Sequence, residues 1–173
     1  MDPENTQREF VAVYDEFSDA IFRYCYIQTS DRDIARDLTQ DTFMKAWEYL
    51  VNVEHTRKKI EYMKAFLYKI ATNLIIDYRR KKKPTVSLET LMEEGFDVGT
   101  PEKAQEKHEI VFEGEEAIKT LSQLDEKYRD VLTMRYVDDL SIKEIAEITG
   151  ETENNVSVRI HRGLEKLREL VAR

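Results

Sequence analysis

Five basic side chains in a row, Arg79 to Lys83, follow an apolar stretch in a chain whose formal net charge is −8. Residues 55–83 hold ten Lys and Arg against two acidic residues, whereas residues 84–116 hold two basic and ten acidic residues. Lys and Arg neutralise phosphates and release counterions, so such a cluster binds a polyanion strongly but without reading its sequence. Because salt screens charges beyond about 8 Å, a polyanion would respond to this local cluster more than to the distant acids.

A second set of side chains, near the C-terminus, has the residue types that read base edges. Asn and Arg form paired hydrogen bonds with adenine and guanine, and Ser and Arg also contact phosphates. The residues expected to face outward and bind DNA are Asn154, Asn155, Ser157, Val158, Arg159 and Arg162. Asn155 and Arg159 are the predicted base readers, and Arg162 is the predicted phosphate contact. Glu153 is compatible with two roles, accepting a hydrogen bond from a cytosine amino group or capping its own helix.

To reach DNA, these side chains must lie on a helix with an exposed face. The residues before them predict a turn that presents such a helix. Ser141 begins a capping-box pattern at the start of a helix, and Gly150 suits the turn that ends it. Thr152 can cap the next helix, which gives a helix-turn-helix with its second helix available to the major groove. The alternative is an ordinary helical hairpin with a solvated charged face. The small Ala146 and the buried-type Val156 at the required spacing favour the DNA-binding motif.

Apolar residues at helical spacing predict three helices before the basic run. They cover residues 5–28, about 30–50 and 61–81, with Ser30 as the expected cap of the second helix. Their apolar faces can close one small bundle. The second helix also carries a stripe opposite its apolar face, formed by Asp33, Asp37, Gln40, Asp41 and Met44. From the residues alone, this stripe is best interpreted as a solvated face.

The second half of the chain is predicted to form a second bundle. Residues 84–113 break the helical pattern and predict a flexible acidic linker, and residues 114–173 resume it in four short pieces. One piece begins after a cap at Asp125, with four residues expected to face inward: Tyr128, Val131, Leu132 and Tyr136. With 36% charged residues, five Gly and three Pro, the fold class is predicted as all-α. It comprises two small helical bundles joined by a flexible acidic linker, the second containing a helix-turn-helix.

The residue pattern gives no support to catalysis or to cofactor binding. There is no glycine-rich phosphate loop, and the three histidines show no ligand spacing with Cys or carboxylates. We therefore expect no enzyme activity, no cofactor, no metal site and no small-molecule substrate. The single cysteine, Cys25, is expected to be a buried core thiol. No apolar run reaches the roughly 18 residues of a membrane span, so we expect a cytoplasmic protein without direct membrane insertion.

Four linked motifs resemble bacterial RNA polymerase sigma factors of the small extracytoplasmic-function type. In chain order they are ARDLTQDTFMKAWEYL, AFLYKIATNLIIDYRRKKK, LDEKYRDVLTMRYVDDLSIKEIAEITG and NNVSVRIHRGLEKLR. The resemblance implies a promoter-recognition subunit whose partners are core RNA polymerase, promoter DNA and an anti-sigma factor. The chain departs from the family at Phe66, where Trp is usual, at Asp125, where Pro is usual, and at Asn154 and Asn155, where Gly-Thr is frequent. The last departure concerns the reading helix and therefore the DNA sequence preferred.

The resemblance also implies roles for particular residues. Residues 1–83 would be sigma domain 2, residues 84–113 the linker, and residues 114–173 sigma domain 4, whose reading helix binds the −35 element. The implied polymerase-binding residues are Asp37, Gln40, Asp41, Thr42 and Met44. The implied residues at the −10 element are His55, Arg57, Lys58, Lys64, Lys69, Asn73, Arg79, Arg80 and Lys81, with Lys82 and Lys83 beside them. His55, Arg57 and Lys58 would shape a pocket for an extruded base, and a solvated loop is the alternative for each.

A different class of DNA-binding protein remains open from the sequence. A stand-alone transcriptional regulator could use the same helix-turn-helix as a dimer, with its first domain sensing a signal. Such a regulator needs neither a basic third helix nor a polar docking stripe on the second. Those two features favour the sigma factor. The acidic linker is further expected to repel DNA, so that the protein without polymerase binds promoters poorly.

Overall fold

A computed structural model describes residues 3–53, 62–83 and 111–172, and these are helical apart from short turns. The α-helices are α1 (Pro3–Thr29), α2 (Arg32–Val53), α3 (Met63–Lys82), α4 (Val111–Ser122), α5 (Glu126–Leu132), α6 (Ile142–Thr149) and α7 (Glu153–Val171). A π-helix, Thr133–Val137, continues α5 directly. The predicted all-α fold is confirmed. The acidic segment of residues 84–110 lies outside the described residues.

The first three helices pack around a shared apolar core. Ile21 of α1, Ala35 of α2 and Leu67 of α3 are all fully buried. Burying a side chain of the size of Ile21 or Leu67 removes enough apolar surface from water to contribute roughly 1.5 to 3 kcal/mol. The hydroxyl of Tyr24 pairs with that of Thr72 at 3.0 Å, so the one polar atom of this buried ring is satisfied. This bundle fixes the directions of the outward faces of α2 and α3.

The cap of α2 differs from the sequence prediction. Ser30 has a φ of 55° and does not cap the helix. Asp31 does so instead, because its Oδ1 accepts hydrogen bonds from the amides of Asp33 at 2.9 Å and Ile34 at 3.0 Å. A carboxylate at this position satisfies amides that have no partner within the helix and also interacts favourably with the helix dipole.

The predicted inward position of Tyr136 is wrong. Tyr128, Val131 and Leu132 are buried as expected, but the Tyr136 side chain is 60% exposed. The reason is the π-helix, which takes more residues per turn than an α-helix and so rotates the following side chains out of the expected register. The same change of register carries Asp138 to a buried position, where it is only 5% exposed.

The sequence predicts a second, separate bundle, but in the structure the two bundles pack against each other. α3 lies against α6, and α1 contacts both α5 and the π-helix. Buried side chains from both bundles, such as Tyr68 of α3 and Ile148 of α6, belong to one continuous apolar cluster. The basic third helix therefore lies beside the second bundle rather than apart from it.

Cys25 should be unreactive in the folded protein. The side chain is fully buried, and desolvation raises the pKa of its thiol to about 12. A higher pKa means less thiolate at a given pH, so at pH 8 the thiolate fraction falls roughly a thousandfold below that of a free cysteine. We expect no measurable modification by iodoacetamide in the time that fully labels the urea-unfolded chain. Equal labelling rates with and without urea would contradict the buried position.

Candidate nucleic-acid interface

The start of α6 is built as its sequence predicts. The Ser141 hydroxyl accepts a hydrogen bond from the Glu144 amide at 3.2 Å, and the Glu144 carboxylate accepts one from the Ser141 amide at 2.8 Å. This reciprocal capping box satisfies two amides that the helix itself leaves without partners. The predicted cap of α6 is confirmed.

The turn between α6 and α7 is also confirmed. Gly150 has a φ of 71°, a left-handed conformation that costs glycine little, and its amide donates to the Ala146 carbonyl at 2.9 Å. Thr152 then caps α7, its hydroxyl accepting a hydrogen bond from the Asn155 amide at 3.2 Å. The chain thus turns sharply and starts a new 19-residue helix within three residues.

Apolar packing between α6 and α7 decides which face of α7 is free. Ile145 of α6 and Val156 of α7 are fully buried, and Ala146 and Ile160 are nearly so. Gly163 comes so close to α5 that a Cβ there would lie 3.2 Å from Leu132 side-chain atoms. The N-terminal half of α7 is consequently held rigidly, with its opposite face in solvent. A helix presented in this way can enter a DNA major groove.

The exposed face of α7 contains most of the predicted DNA-binding side chains. The exposed members are Asn154, Asn155, Ser157, Val158 and Arg162. The Ser157 hydroxyl donates to the Glu153 carbonyl at 2.9 Å, which leaves its oxygen able to accept a further hydrogen bond. Arg159 is different, because its guanidinium pairs with the Glu151 carboxylate and both side chains are only 25% exposed. Glu151 therefore fixes the position of Arg159 at the start of α7.

The basic third helix has a solvated side with the residue types that contact phosphates. Its exposed residues include Lys69, Asn73, Arg80, Lys81, Lys82 and Lys83. Arg80 makes only a surface pair with Asp77 at 3.6 Å, and the Lys82 ammonium lies 5.7 Å from the centroid of the Tyr78 ring. Exposed pairs of this kind are weak, so these cations remain available to a polyanion.

Arg79 and Lys64 depart from the predicted DNA-binding surface. The Arg79 guanidinium binds Asp130 through both terminal nitrogens, at 3.1 and 3.0 Å, and its side chain is only 11% exposed. The Lys64 ammonium donates to the Asp138 carbonyl at 2.6 Å. Both partners belong to the second bundle. In this conformation the Arg79 guanidinium is directed into the protein, and the half-buried Lys64 ammonium spends one of its three donors on the Asp138 carbonyl.

The outward stripe of α2 is exposed as predicted, but Thr42, which the family resemblance adds to the polymerase-binding residues, does not share that exposure. Asp37, Gln40 and Asp41 are exposed, and Met44 is 61% exposed. Thr42, however, is fully buried, and its hydroxyl donates to the Leu38 carbonyl at 2.7 Å. It cannot contact a partner in this conformation, because it lies on the apolar side of α2.

The three residues predicted to shape a base pocket, His55, Arg57 and Lys58, lie outside the described residues. Within the described ranges, no group of three His, Cys, Asp or Glu side chains could hold a metal ion. None of the helices that the structure describes is long and apolar enough to cross a membrane.

Comparison with known proteins gives matches along most of the chain. Residues 13–85 match the family model of sigma-70 region 2, and residues 114–167 match that of sigma-70 region 4. Among curated proteins, the chain is similar to the ECF RNA polymerase sigma factor SigW of Bacillus subtilis, with 34% identity over 94% of this chain and 89% of the relative. It is also similar to SigM of the same organism, with 29% identity over 93% of this chain and 94% of the relative.

Solved structures share the fold. The sigma factor RpoE from Bartonella quintana, in complex with the anti-sigma factor NepR, superposes with a TM-score of 0.67 at 22% identity, covering 98% of both chains. CnrH, in complex with the cytosolic domain of CnrY, gives a TM-score of 0.67 at 23% identity, covering 96% of this chain and 89% of the other.

Proposed function

The chain belongs to the family of ECF RNA polymerase sigma factors, and we propose that it binds core RNA polymerase and directs it to promoters by reading DNA with α7. The observation that carries this proposal is the solvated face of α7. It combines Asn and Arg side chains on a helix fixed by a capped turn, Gly150, and a buried apolar seam. Rigid presentation of such side chains is what base recognition requires.

Within α7, the side chains divide by chemistry. Asn155 can form a bidentate contact with adenine, and Val158, 41% exposed, can pack against a thymine methyl group. Arg162, about two turns beyond Asn155, suits a backbone phosphate. The Arg159 guanidinium is paired with Glu151 and only partly exposed. It could therefore contact a guanine edge only if the DNA lies close to the N-terminal end of α7. These are the proposed contacts with the −35 element.

The solvated side of α3 is the proposed contact with the −10 region. Lys69, Arg80 and Lys81 would neutralise phosphates, and Asn73 could accept from or donate to a base or sugar. Phosphate contacts give affinity without sequence information. Sequence selection at this element would therefore require a base pocket, for which His55, Arg57 and Lys58 remain the proposed residues.

The stripe on α2 is the proposed polymerase-binding surface, now without Thr42. Exposed Met44 between acidic and amide side chains resembles the composition of an interface core with a polar rim. An anti-sigma factor is a further proposed partner, since the superposed RpoE is in complex with the anti-sigma factor NepR. We propose residues 1–83 and 114–173 as sigma domains 2 and 4, with residues 84–113 as the linker between them.

The proposal assigns no catalysis to this chain, since RNA synthesis belongs to the polymerase. The alternative of a stand-alone regulator is not favoured, because both the region 2 and the region 4 family models match this chain. Such a protein would have no use for the Met44 stripe, so loss of that stripe would not alter its activity. The following experiment therefore separates the two functions.

Asp41→Lys combined with Met44→Ala should weaken binding to core RNA polymerase by about tenfold or more, because centrally placed interface residues carry most of the binding energy. Affinity would be measured by fluorescence anisotropy with purified core enzyme. The control is Glu16→Lys, an equal charge reversal at an exposed position of α1. Unchanged polymerase affinity in the double variant, or no polymerase binding by the unmodified protein, would contradict the proposal.

A further inference from the structure

The contact between the two bundles is built around a buried arginine. Besides binding Asp130, the Arg79 guanidinium donates to the Gln28 side-chain oxygen at 2.9 Å and lies 3.7 Å from the Glu126 carboxylate. Gln28, itself 4% exposed, also donates through its side-chain nitrogen to the Thr133 hydroxyl at 3.3 Å. Arg79 and Gln28 belong to the first bundle and their other partners to the second. One guanidinium therefore joins α1, α3 and α5.

A second polar cluster joins the bundles around Asp138. Its carboxylate accepts a hydrogen bond from Arg23 of α1 at 3.0 Å, and its carbonyl accepts one from Lys64 of α3. The π-helix makes this arrangement possible. It ends with the Asp138 amide donating to Thr133 at 3.1 Å, and Asp139 takes a φ of 55° immediately afterwards. The backbone irregularity thus directs both the carboxylate and the carbonyl of Asp138 towards the first bundle.

Asp130, Asp138 and Arg79 are largely removed from water, although the Arg23 side chain is 46% exposed, and a buried carboxylate depends on its partner more than a surface carboxylate does. Burial raises the pKa of the Asp130 carboxyl, and the hydrogen bonds from Arg79 oppose that effect. Burial likewise raises the pKa of the Asp138 carboxyl, opposed by Arg23. Removing one partner from such a pair leaves an uncompensated buried charge, whereas separating the bundles returns both partners to water. Losing an acidic partner should therefore favour separation.

The basic residues of α3 fall into two groups, those in solvent and those bound to the second bundle. Lys69, Arg80 and Lys81 remain in solvent, while Arg79 and Lys64 are directed to the second bundle. A guanidinium that binds a carboxylate through two nitrogens has the geometry that also binds a phosphate. Asp130 therefore makes with Arg79 the kind of paired contact that a phosphate could make in its place.

Resting on the proposed function, we propose that Arg79–Asp130 and Arg23–Asp138–Lys64 form a clasp that keeps the protein closed without polymerase and withholds Arg79 and Lys64 from the DNA backbone. Phosphates compete with Asp130 and Asp138 for these cations, and separation of the bundles releases them. The clasp is a second cause, beside repulsion by the acidic linker, of the weak promoter binding expected of the protein without polymerase.

The test is a double variant that removes the acids and keeps the cations, Asp130→Asn with Asp138→Asn. Spin labels at Lys45→Cys and Arg168→Cys, both exposed and in different bundles, report the distance between α2 and α7. We expect a short distance to dominate in the unmodified protein and a longer distance to become the larger population in the double variant. The matched control is Asp33→Asn with Glu165→Gln, which removes the same charge from exposed pairs within single bundles.

The same variants are then titrated without polymerase into a duplex carrying the selected promoter. If about a tenth of the unmodified molecules are open, full opening raises apparent affinity at most about tenfold. Arg79→Ala supplies the contrast, since it should also open the protein but gain less DNA affinity. An unchanged distance in a double variant whose helical circular dichroism is intact would overturn the clasp. If the double variant opens but binds DNA no more tightly than Arg79→Ala does, then the clasp does not withhold the cations from DNA.

Failure of the clasp and failure of the proposed function can be told apart. The distance measurement contains neither polymerase nor DNA, so it depends only on how the bundles are held. The polymerase-binding assay with Asp41 and Met44 variants depends on α2, which contributes no residue to the clasp.

Discussion

Asn155→Ala should lower the affinity of the polymerase complex for its cognate promoter by about 5- to 150-fold, the range expected for one bidentate base contact. The Asn155 side chain is exposed, and its backbone amide donates to the Thr152 hydroxyl. The substitution to alanine keeps that backbone hydrogen bond, so it removes the base contact without removing the cap. The cognate site would be obtained by selecting bound fragments, and affinity measured by titration. Binding to the site mutated at the contacted base pair should change little.

The matched comparison separates base reading from phosphate binding. Arg162→Ala should weaken binding to cognate and mutated sites alike and reduce the slope of log affinity against log salt by about one. Gln123→Ala removes an exposed amide elsewhere in the second bundle and should leave both affinities unchanged. If Asn155→Ala weakens all sequences equally, then Asn155 does not read a base.

Ile145→Ala should reduce the free energy of unfolding by about 2 to 5 kcal/mol, because it leaves a cavity in the packed crossing of α6 and α7. Ile145 is fully buried there, next to Val156, and α6 also packs against α3. The quantity to measure is the midpoint of urea unfolding at constant m-value. Promoter binding should be lost together with stability, since α7 would no longer be held rigidly.

The control for this core substitution is Val171→Ala. Val171 is 72% exposed at the end of α7, so its truncation should change stability by no more than about 0.5 kcal/mol. Equal effects of the two substitutions would show that the crossing of α6 and α7 does not hold the reading helix in place.

Features set by neighbouring residues were predictable from the sequence. The Ser141 capping box, the left-handed Gly150 and the Thr152 cap each depend on residues within four positions of one another. The exposure of the Asp37 stripe followed from helical periodicity. The burial of Thr42, a residue that only the family resemblance placed among the polymerase-binding residues, was not predictable, because a hydroxyl that bonds its own helix backbone can lie on an apolar face.

Features set by tertiary contacts were not predictable. The π-helix leaves Tyr136 exposed and Asp138 buried. Asp138 bonds Arg23, which lies 115 positions earlier in the sequence. Arg79 had the charge expected of a phosphate contact, but charge alone does not distinguish a phosphate from the Asp130 carboxylate 51 positions later. One signal was available: Gln28 is a polar residue at the buried end of α1, where a partner was to be expected.

The most direct test of promoter recognition is to map transcription start sites in vitro with core polymerase, with and without this protein, on fragments carrying the selected sequence. We predict starts at one fixed distance downstream of that sequence only when the protein is present, and their loss with Asn155→Ala. Start sites that are the same with and without the protein would contradict its assignment as a promoter-recognition subunit.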